Sequence, residues 1–278
     1  MTAATHVLIP DQLYGIIGHP LGHSLSPLLH NWGFQHHGLQ AVYFQWPTPP
    51  ASLPEFVTAI RTLPIAGVSV TIPHKQSVMP YLDELSADAV HAGAVNTLFW
   101  AEGKLWGENT DVHGFLAPLR CRPEPVRDAL VLGVGGAARA AVRGLKLLGV
   151  ETVLISGRNP EATRSLATSA ECGWMDWEQR SQWSGDLLVN ATPLGMSGQF
   201  ERLSPWPGKT TGIRLAYDLV YNPQKTCFLQ AAASSGTEII LGLEMFLAQA
   251  QEQFRIWTKK ELPADDCREL LLAKMGVS

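Results

Sequence analysis

Apolar residues along the chain alternate between two patterns. Short β-branched runs read as buried strands, and stretches with apolar residues three and four apart read as helices between them. In the first part the pattern predicts a strand at 14–18, then a helix from Pro27 through Leu28, Leu29, Trp32 and Phe34 to Gly38. A strand at 41–46, a helix at 53–63 and a strand at 68–71 follow, then a helical stretch at 83–92 and a hairpin over 97–106 that turns at 101–104. After a helix at 112–119 and a polar connector at 120–128, the rhythm becomes regular. Strand 129–132, helix 138–148 closed by Gly149, strand 153–155, helix 161–170, strands 187–190 and 215–219, and a final pair at 226–235 and 238–241 succeed one another. A helix at 243–257 offers Met245, Phe246, Ala248 and Phe254 for burial and is expected to return to the first part. Strand and helix alternation of this kind predicts an α/β fold with parallel or mixed sheets.

Glycines sharpen the picture at one place. Gly133-x-Gly135-x-x-Ala138 follows a predicted strand and opens a predicted helix, the context in which this spacing binds a dinucleotide. Gly133 allows the tight turn, Gly135 lets backbone approach a pyrophosphate, and Ala138 is small enough for helix to meet strand. The helix N-terminus would present free N–H groups to the phosphates. The fold class expected is therefore an N-terminal α/β substrate-binding domain (1–111 and 243–278) plus a Rossmann-type, doubly wound nucleotide domain (112–242), with a cleft between them. At the end of the next strand stands Arg158, where an NAD-binding chain usually carries an acid; a guanidinium there suits the 2′-phosphate of NADP.

The second candidate stretch is Gly67-Val68-Ser69-Val70-Thr71-Ile72-Pro73-His74-Lys75. A buried strand halted by Pro73 would deliver the Lys75 ammonium just beyond its end. Ala94-Val95-Asn96-Thr97 and Glu108-Asn109-Thr110-Asp111 could bring amides and a carboxylate to the same cleft. A nicotinamide implies hydride transfer to carbon with a proton moved at the adjacent oxygen, and Lys75 oriented by Asp111 could move it.

Composition removes other classes. The chain has 278 residues, 46% hydrophobic and 17% charged, with net charge −4, so no basic field points to nucleic acid or an anionic membrane. Cys121, Cys172, Cys227 and Cys267 lie far apart, which suits isolated thiols in a reducing compartment. No apolar run is long enough to span a bilayer, and 1–10 lacks a basic region followed by an apolar core, so a cytoplasmic location is expected. His19, His23 and His30 lack a carboxylate or cysteine at helpful spacing, and no metal is expected.

Several segments together resemble the shikimate dehydrogenase family over nearly the whole length. They are Gly18-His19-Pro20-Leu21-Gly22-His23-Ser24-Leu25-Ser26-Pro27, Val70-Thr71-Ile72-Pro73-His74-Lys75, Ala92-Gly93-Ala94-Val95-Asn96-Thr97, Asn109-Thr110-Asp111, Gly133 through Arg139, Tyr217-Asp218-Leu219-Val220-Tyr221, Gly242-Leu243 and Gln249-Ala250. The resemblance implies NADPH-dependent reduction of 3-dehydroshikimate to shikimate, in aromatic amino-acid biosynthesis. It implies a catalytic pair, Lys75 and Asp111. Ser24, Ser26 and Tyr221 would hold the substrate carboxylate, and Ser69, Thr71, Asn96, Asp111 and Gln249 the ring hydroxyls. Gly133, Gly135, Gly136, Ala137, Arg158, Thr192, Leu219 and Gly242 would form the NADP site. A monomer or homodimer acting on a small molecule is expected. Two departures stand out: Ser69 where the family usually has Asn, and Gly157-Arg158-Asn159 in place of Asn-Arg-Thr. The rival readings are a quinate/shikimate dehydrogenase that uses NAD, and a non-catalytic ligand-sensing relative.

Overall fold

The computed structural model describes residues 9–22 and 24–276, so His23 and the first eight positions lie outside the described residues. Strands β1 (Gln12–Gly18), β2 (Ala41–Pro47), β3 (Ile65–Val70), β4 (Glu84–Leu85), β5 (Thr97–Ala101) and β6 (Lys104–Glu108) form one sheet, in the order β2-β1-β3-β5-β6-β4. β1 is parallel to both neighbours, while β3 with β5 and β5 with β6 pair antiparallel. Five helices accompany it: α1 (Ser26–His36), α2 (Leu53–Ile60), the single turn α3 (His74–Ser77), α4 (Ala87–Ala92) and α5 (Thr110–Arg120).

The second sheet is wholly parallel. It contains β7 (Asp128–Leu132), β8 (Thr152–Ser156), β9 (Gly173–Trp174), β10 (Gly185–Asn190), β11 (Ile213–Asp218) and β12 (Glu238–Ile240), in the order β12-β11-β10-β7-β8-β9. Helices α6 (Gly136–Leu148), α7 (Pro160–Ser169) and α8 (Cys227–Ser234) cover its faces. Val131, Ile155, Leu187 and Leu215 meet Val142 and Leu145 on one side, while Leu130, Leu132 and Leu188 meet Phe228 and Leu229 on the other. Burial on both faces is why these strands read as unbroken apolar runs. Strand order reverses beside β7, so the glycine turn after it stands at the switch point where α/β sheets bind ligands.

Helices α9 (Gly242–Thr258) and α10 (Ala264–Met275) close the chain. Leu243, Phe246, Leu247, Ala250 and Phe254 share a core with Tyr14, Ile16, Leu29 and Phe34 of the first sheet and α1. Helix α9 thus returns to the first part, as its apolar face predicted. It also crosses α5 closely: a Cβ on Gly114 would stand 2.7 Å from the Met245 carbonyl oxygen and 2.8 Å from the Gln249 Cβ. On its other side α5 sends Phe115 onto Tyr217 of β11, ring centroids 5.2 Å apart. Helix α9 thus touches the cores of both sheets, with Met245 in that of the second and Leu243, Phe246 and Phe254 in that of the first. Among the described residues no helix is long and apolar enough to cross a membrane.

Three local expectations need correction. The helix expected at 83–92 begins at Ala87, because the Ser86 side chain accepts the Ala89 N–H and caps it; Glu84–Leu85 instead pairs with β6. The strand expected at 68–71 starts earlier, at Ile65, and stops at Val70. Helix α10 was not foreseen, since only Cys267 and Leu271 are fully buried on it and its apolar stripe is correspondingly narrow.

At the end of β11 the Asp218 carboxylate accepts hydrogen bonds from Asn190 Nδ2 (2.9 Å), the Val220 N–H (3.0 Å) and the Thr226 hydroxyl (2.5 Å). It thereby ties the ends of β10 and β11 to α8. Burial pushes its pKa up to about 7, against the pull of these three donors. A raised folded pKa means that the native state holds a proton the unfolded chain has released. Asp218 therefore contributes stability below the ordinary aspartate range, and that contribution is lost as pH rises through about 7. In urea unfolding from pH 4 to 8, Asp218→Asn is expected to flatten this part of the stability profile.

Candidate active site

The loops after β1 and β3, the starts of α5 and α9, and the segment after β11 enclose a cavity of about 160 Å³. Lys75 sits in the one-turn helix α3, beyond the end of β3. Its turn is tied down on two sides: His74 is buried with Nε2 2.7 Å from the Thr48 carbonyl oxygen, and the Val95 N–H donates to the Lys75 carbonyl at 2.7 Å. The Lys75 ammonium donates to Asp111 Oδ2 at 2.5 Å, with both side chains largely buried. Asp111 is the second residue of α5, where the partial positive charge of a helix N-terminus favours a carboxylate. Its other oxygen, Oδ1, accepts from Asn96 Nδ2 at 2.9 Å. Lysine, aspartate and asparagine thus form one connected set in the cavity wall.

The remaining residues expected at the substrate face the same space. Ser24, Ser26, Ser69, Thr71, Asn96, Tyr221 and Gln249 all line the cavity. Ser24 also accepts the Ser26 N–H at 3.3 Å, a local turn bond before α1. Tyr221 packs against Phe246 with tilted rings, centroids 4.5 Å apart. Burial raises its pKa. Gln249 donates Nε2 to the Phe246 carbonyl at 3.0 Å, one turn back on α9. Its Oε1 is left for a ligand.

The residues expected at the cofactor divide in two groups. Ala137, Leu219 and Gly242 line the same cavity as Lys75, which joins the phosphate turn to the reacting end. Gly133 has φ +118° and lies against the Ala191 carbonyl, so only glycine fits without strain. A Cβ on Gly135 would meet nothing within 4 Å; that open face at the start of α6 is room for a diphosphate beside free helix N–H groups. Gly136 faces the aliphatic stem of Lys75, with Cδ 2.7 Å from an added Cβ. Thr192 turns its hydroxyl onto Asn190 Oδ1 at 2.7 Å and shapes the loop after β10. Arg158 is exposed and lines a second cavity of about 270 Å³ with Gly157, Trp174 and Trp177. Asn159 caps α7 through the Glu161 and Ala162 N–H groups, both at 3.1 Å, which leaves Arg158 as the polar side chain of that triplet free for a phosphate. The residues present fit NADP: Arg158 offers a guanidinium suited to its 2′-phosphate, and the open face at Gly135 room for its diphosphate.

The sequence assigned no role of their own to Tyr43, Thr97, Thr110 or Gln253; Gln253 itself borders the cavity, and the other three brace its wall through hydrogen bonds. For Gln253 a signal existed: it stands four positions after Gln249 on α9, hence on the same helix face. His30, considered for a metal, is buried between Tyr43 and Phe254, and burial lowers its pKa to about 3, so the ring is neutral. Among the described residues no group of three or more His, Cys, Asp or Glu side chains could hold a metal ion.

Fold and site together define a two-sheet α/β protein in which a Rossmann-type dinucleotide half faces a Lys–Asp cavity. Two family models match the chain: shikimate dehydrogenase substrate binding domain over residues 16–98, and shikimate 5′-dehydrogenase C-terminal domain over 242–272. Shikimate dehydrogenase (NADP(+)) of Maridesulfovibrio salexigens is 48% identical over 97% of this chain and 99% of its own. That of Oleidesulfovibrio alaskensis is 50% identical over 95% of each. The crystal structure of shikimate 5-dehydrogenase from Thermus thermophilus in complex with NADP(H) and shikimate is 35% identical, with TM-score 0.84 over 93% of this chain and 98% of that one. The Listeria monocytogenes enzyme, in complex with shikimate and NAD, is 32% identical, with TM-score 0.85 over 94% and 96%. The chain belongs to the shikimate dehydrogenase family.

Proposed function

We propose that the protein reduces 3-dehydroshikimate to shikimate with NADPH, reversibly, as a step of aromatic biosynthesis. The observation that carries this reading is the Lys75–Asp111 ion pair, set in a cavity ringed by serine, threonine, asparagine and glutamine and packed against Gly136 of the phosphate turn. NADPH supplies the hydride. Lys75 holds the substrate oxygen at the reacting carbon and gives it a proton as the carbonyl becomes an alcohol; in reverse it takes that proton back. Asp111 fixes the ammonium in place, and Asn96 fixes Asp111. The hydroxyls of Ser24, Ser26 and Tyr221 bind the carboxylate as aligned donors, with Thr71 and Gln249 on the ring. In this reading residues 1–111 and 243–278 form the substrate domain and 112–242 the NADP domain. The reading includes a cytoplasmic location and a monomeric or homodimeric state.

Turnover of the purified protein with shikimate or quinate, paired with NADP or NAD, tests the assignment. Oxidation confined to shikimate with NADP is the expected result; turnover chiefly of quinate with NAD would replace it by the catabolic reading, and none at all by a sensor. Arg158→Ala is expected to raise the KM for NADP about tenfold or more, as loss of a charge-assisted phosphate contact should, and to leave the KM for NAD nearly unchanged. Parallel changes for both cofactors would mean that Arg158 does not read the 2′-phosphate.

A further inference from the structure

Behind the cavity runs a buried chain of hydrogen bonds whose direction is fixed at two points by groups that cannot reverse their roles. The Thr110 backbone N–H donates to Asn96 Oδ1 at 2.8 Å, so that oxygen is an acceptor. The Thr97 hydroxyl, 2.8 Å from the same atom, therefore donates to it and offers its own lone pairs to Gln253 Nε2 at 2.9 Å. Gln253 Nε2 also reaches the Asn96 backbone carbonyl at 3.2 Å, an obligatory acceptor, which sets the amide independently. The Gln253 Oε1 then faces Ser69 Oγ at 2.9 Å and takes the serine's only proton. Tyr43, whose hydroxyl is 2.7 Å from Ser69 Oγ, must donate to it.

We infer that Gln253 makes Ser69 an acceptor-only group in the cavity, so that the substrate group facing Ser69 must be a hydroxyl donor. Ser69 and Gln253 both border the cavity, and after Tyr43 is served one lone pair of Ser69 remains for a ligand. A ring hydroxyl can donate to it; a carbonyl, ether or fluorine cannot. Gln253 acts here through Ser69 as a positioning residue that sets selectivity. An asparagine at position 69 would offer both a donor and an acceptor, so the serine narrows what the site accepts. The inference rests on shikimate being the ligand proposed above.

Calorimetric binding to the full-length protein tests it, with shikimate and the two analogues in which fluorine replaces one or the other non-reacting ring hydroxyl. The wild-type protein is expected to bind one analogue about tenfold or more weaker than shikimate, because a buried acceptor loses its donor. Gln253→Leu, which frees the Ser69 proton, should shrink that ratio below about threefold, as should Ser69→Ala, which removes the acceptor. A merely structural role for Gln253 would weaken all three ligands alike. An unchanged ratio in folded Gln253→Leu, or no penalty for either analogue in the wild-type protein, would overturn the inference. Should Gln253→Leu fail to fold, Gln253→Met, which removes the same oxygen with an unbranched side chain of similar length, is held to the same ratio. Failure of the wild-type protein to bind shikimate itself would instead overturn the functional reading, and this inference with it.

Discussion

Lys75→Met is expected to lower kcat by about a hundredfold to ten-thousandfold, the range of general acid–base catalysis, while the KM for shikimate changes little. Methionine nearly preserves the unbranched stem that lies along Gly136, so the contact between the phosphate turn and α3 should survive. The group lost is the ammonium that meets Asp111 at 2.5 Å. Asp111→Asn is a milder lesion at the same place: it keeps an oxygen for Lys75 or for Asn96 but removes the charge that holds the ammonium. Its kcat is expected to lie between those of Lys75→Met and the wild-type protein. Steady-state kinetics with shikimate and NADP, together with calorimetric binding of shikimate, separate the roles. Equal loss in kcat and in binding would mean that Lys75 only holds the substrate.

The second large effect is expected at Gly242, where α9 leaves β12. A Cβ there would stand 2.3 Å from the Val220 carbonyl oxygen, 2.5 Å from its carbon and 2.9 Å from the Asp218 carbonyl oxygen. All three are backbone atoms, so no side-chain rotation relieves the overlap. Either the start of α9 or the segment after β11 must move. Gly242→Ala should therefore cost on the order of 3 kcal/mol in urea unfolding, at the upper end for overpacked sites. Activity should fall further than stability alone explains, because Leu219, Tyr221 and Met245 on these two segments line the cavity. Wild-type stability and kinetics would show that the two segments have slack that the close contact does not suggest.

Much of this arrangement was legible in the chain, for identifiable reasons. The strands of the second sheet are buried on both faces and so read as continuous apolar runs, and the glycine turn at Gly133 and Gly135 marked the nucleotide end. Lys75 was legible because Pro73 halts its strand, and Asp111 because the segment 108–111 offered a carboxylate to the same cleft; the family resemblance named them as a pair, and the structure brings them together as an ion pair. The hydrogen-bond chain through Tyr43, Ser69, Gln253 and Thr97 was not legible, because its members lie on four different elements far apart in sequence. Polar residues within amphipathic strands and helices look like ordinary surface positions until folding buries them. The short strand β4 was hidden for the opposite reason: Ser86 starts a helix immediately after it, and the helical signal spread backward over Glu84 and Leu85. Local pattern and the family resemblance thus pointed to the groups that meet in the cavity, while the contacts that orient them exist only in the folded chain.

In the proposed reaction hydride passes directly between the reacting carbon of shikimate and NADP in the cavity of Lys75 and Asp111. Shikimate carrying deuterium on that carbon, incubated with NADP and the purified protein, tests it most directly by mass spectrometry of the reduced cofactor. The deuterium is expected to appear in NADPH, at a rate cut by Lys75→Met in proportion to its fall in kcat. NADPH formed without deuterium, or transfer at the wild-type rate in folded Lys75→Met, would contradict it.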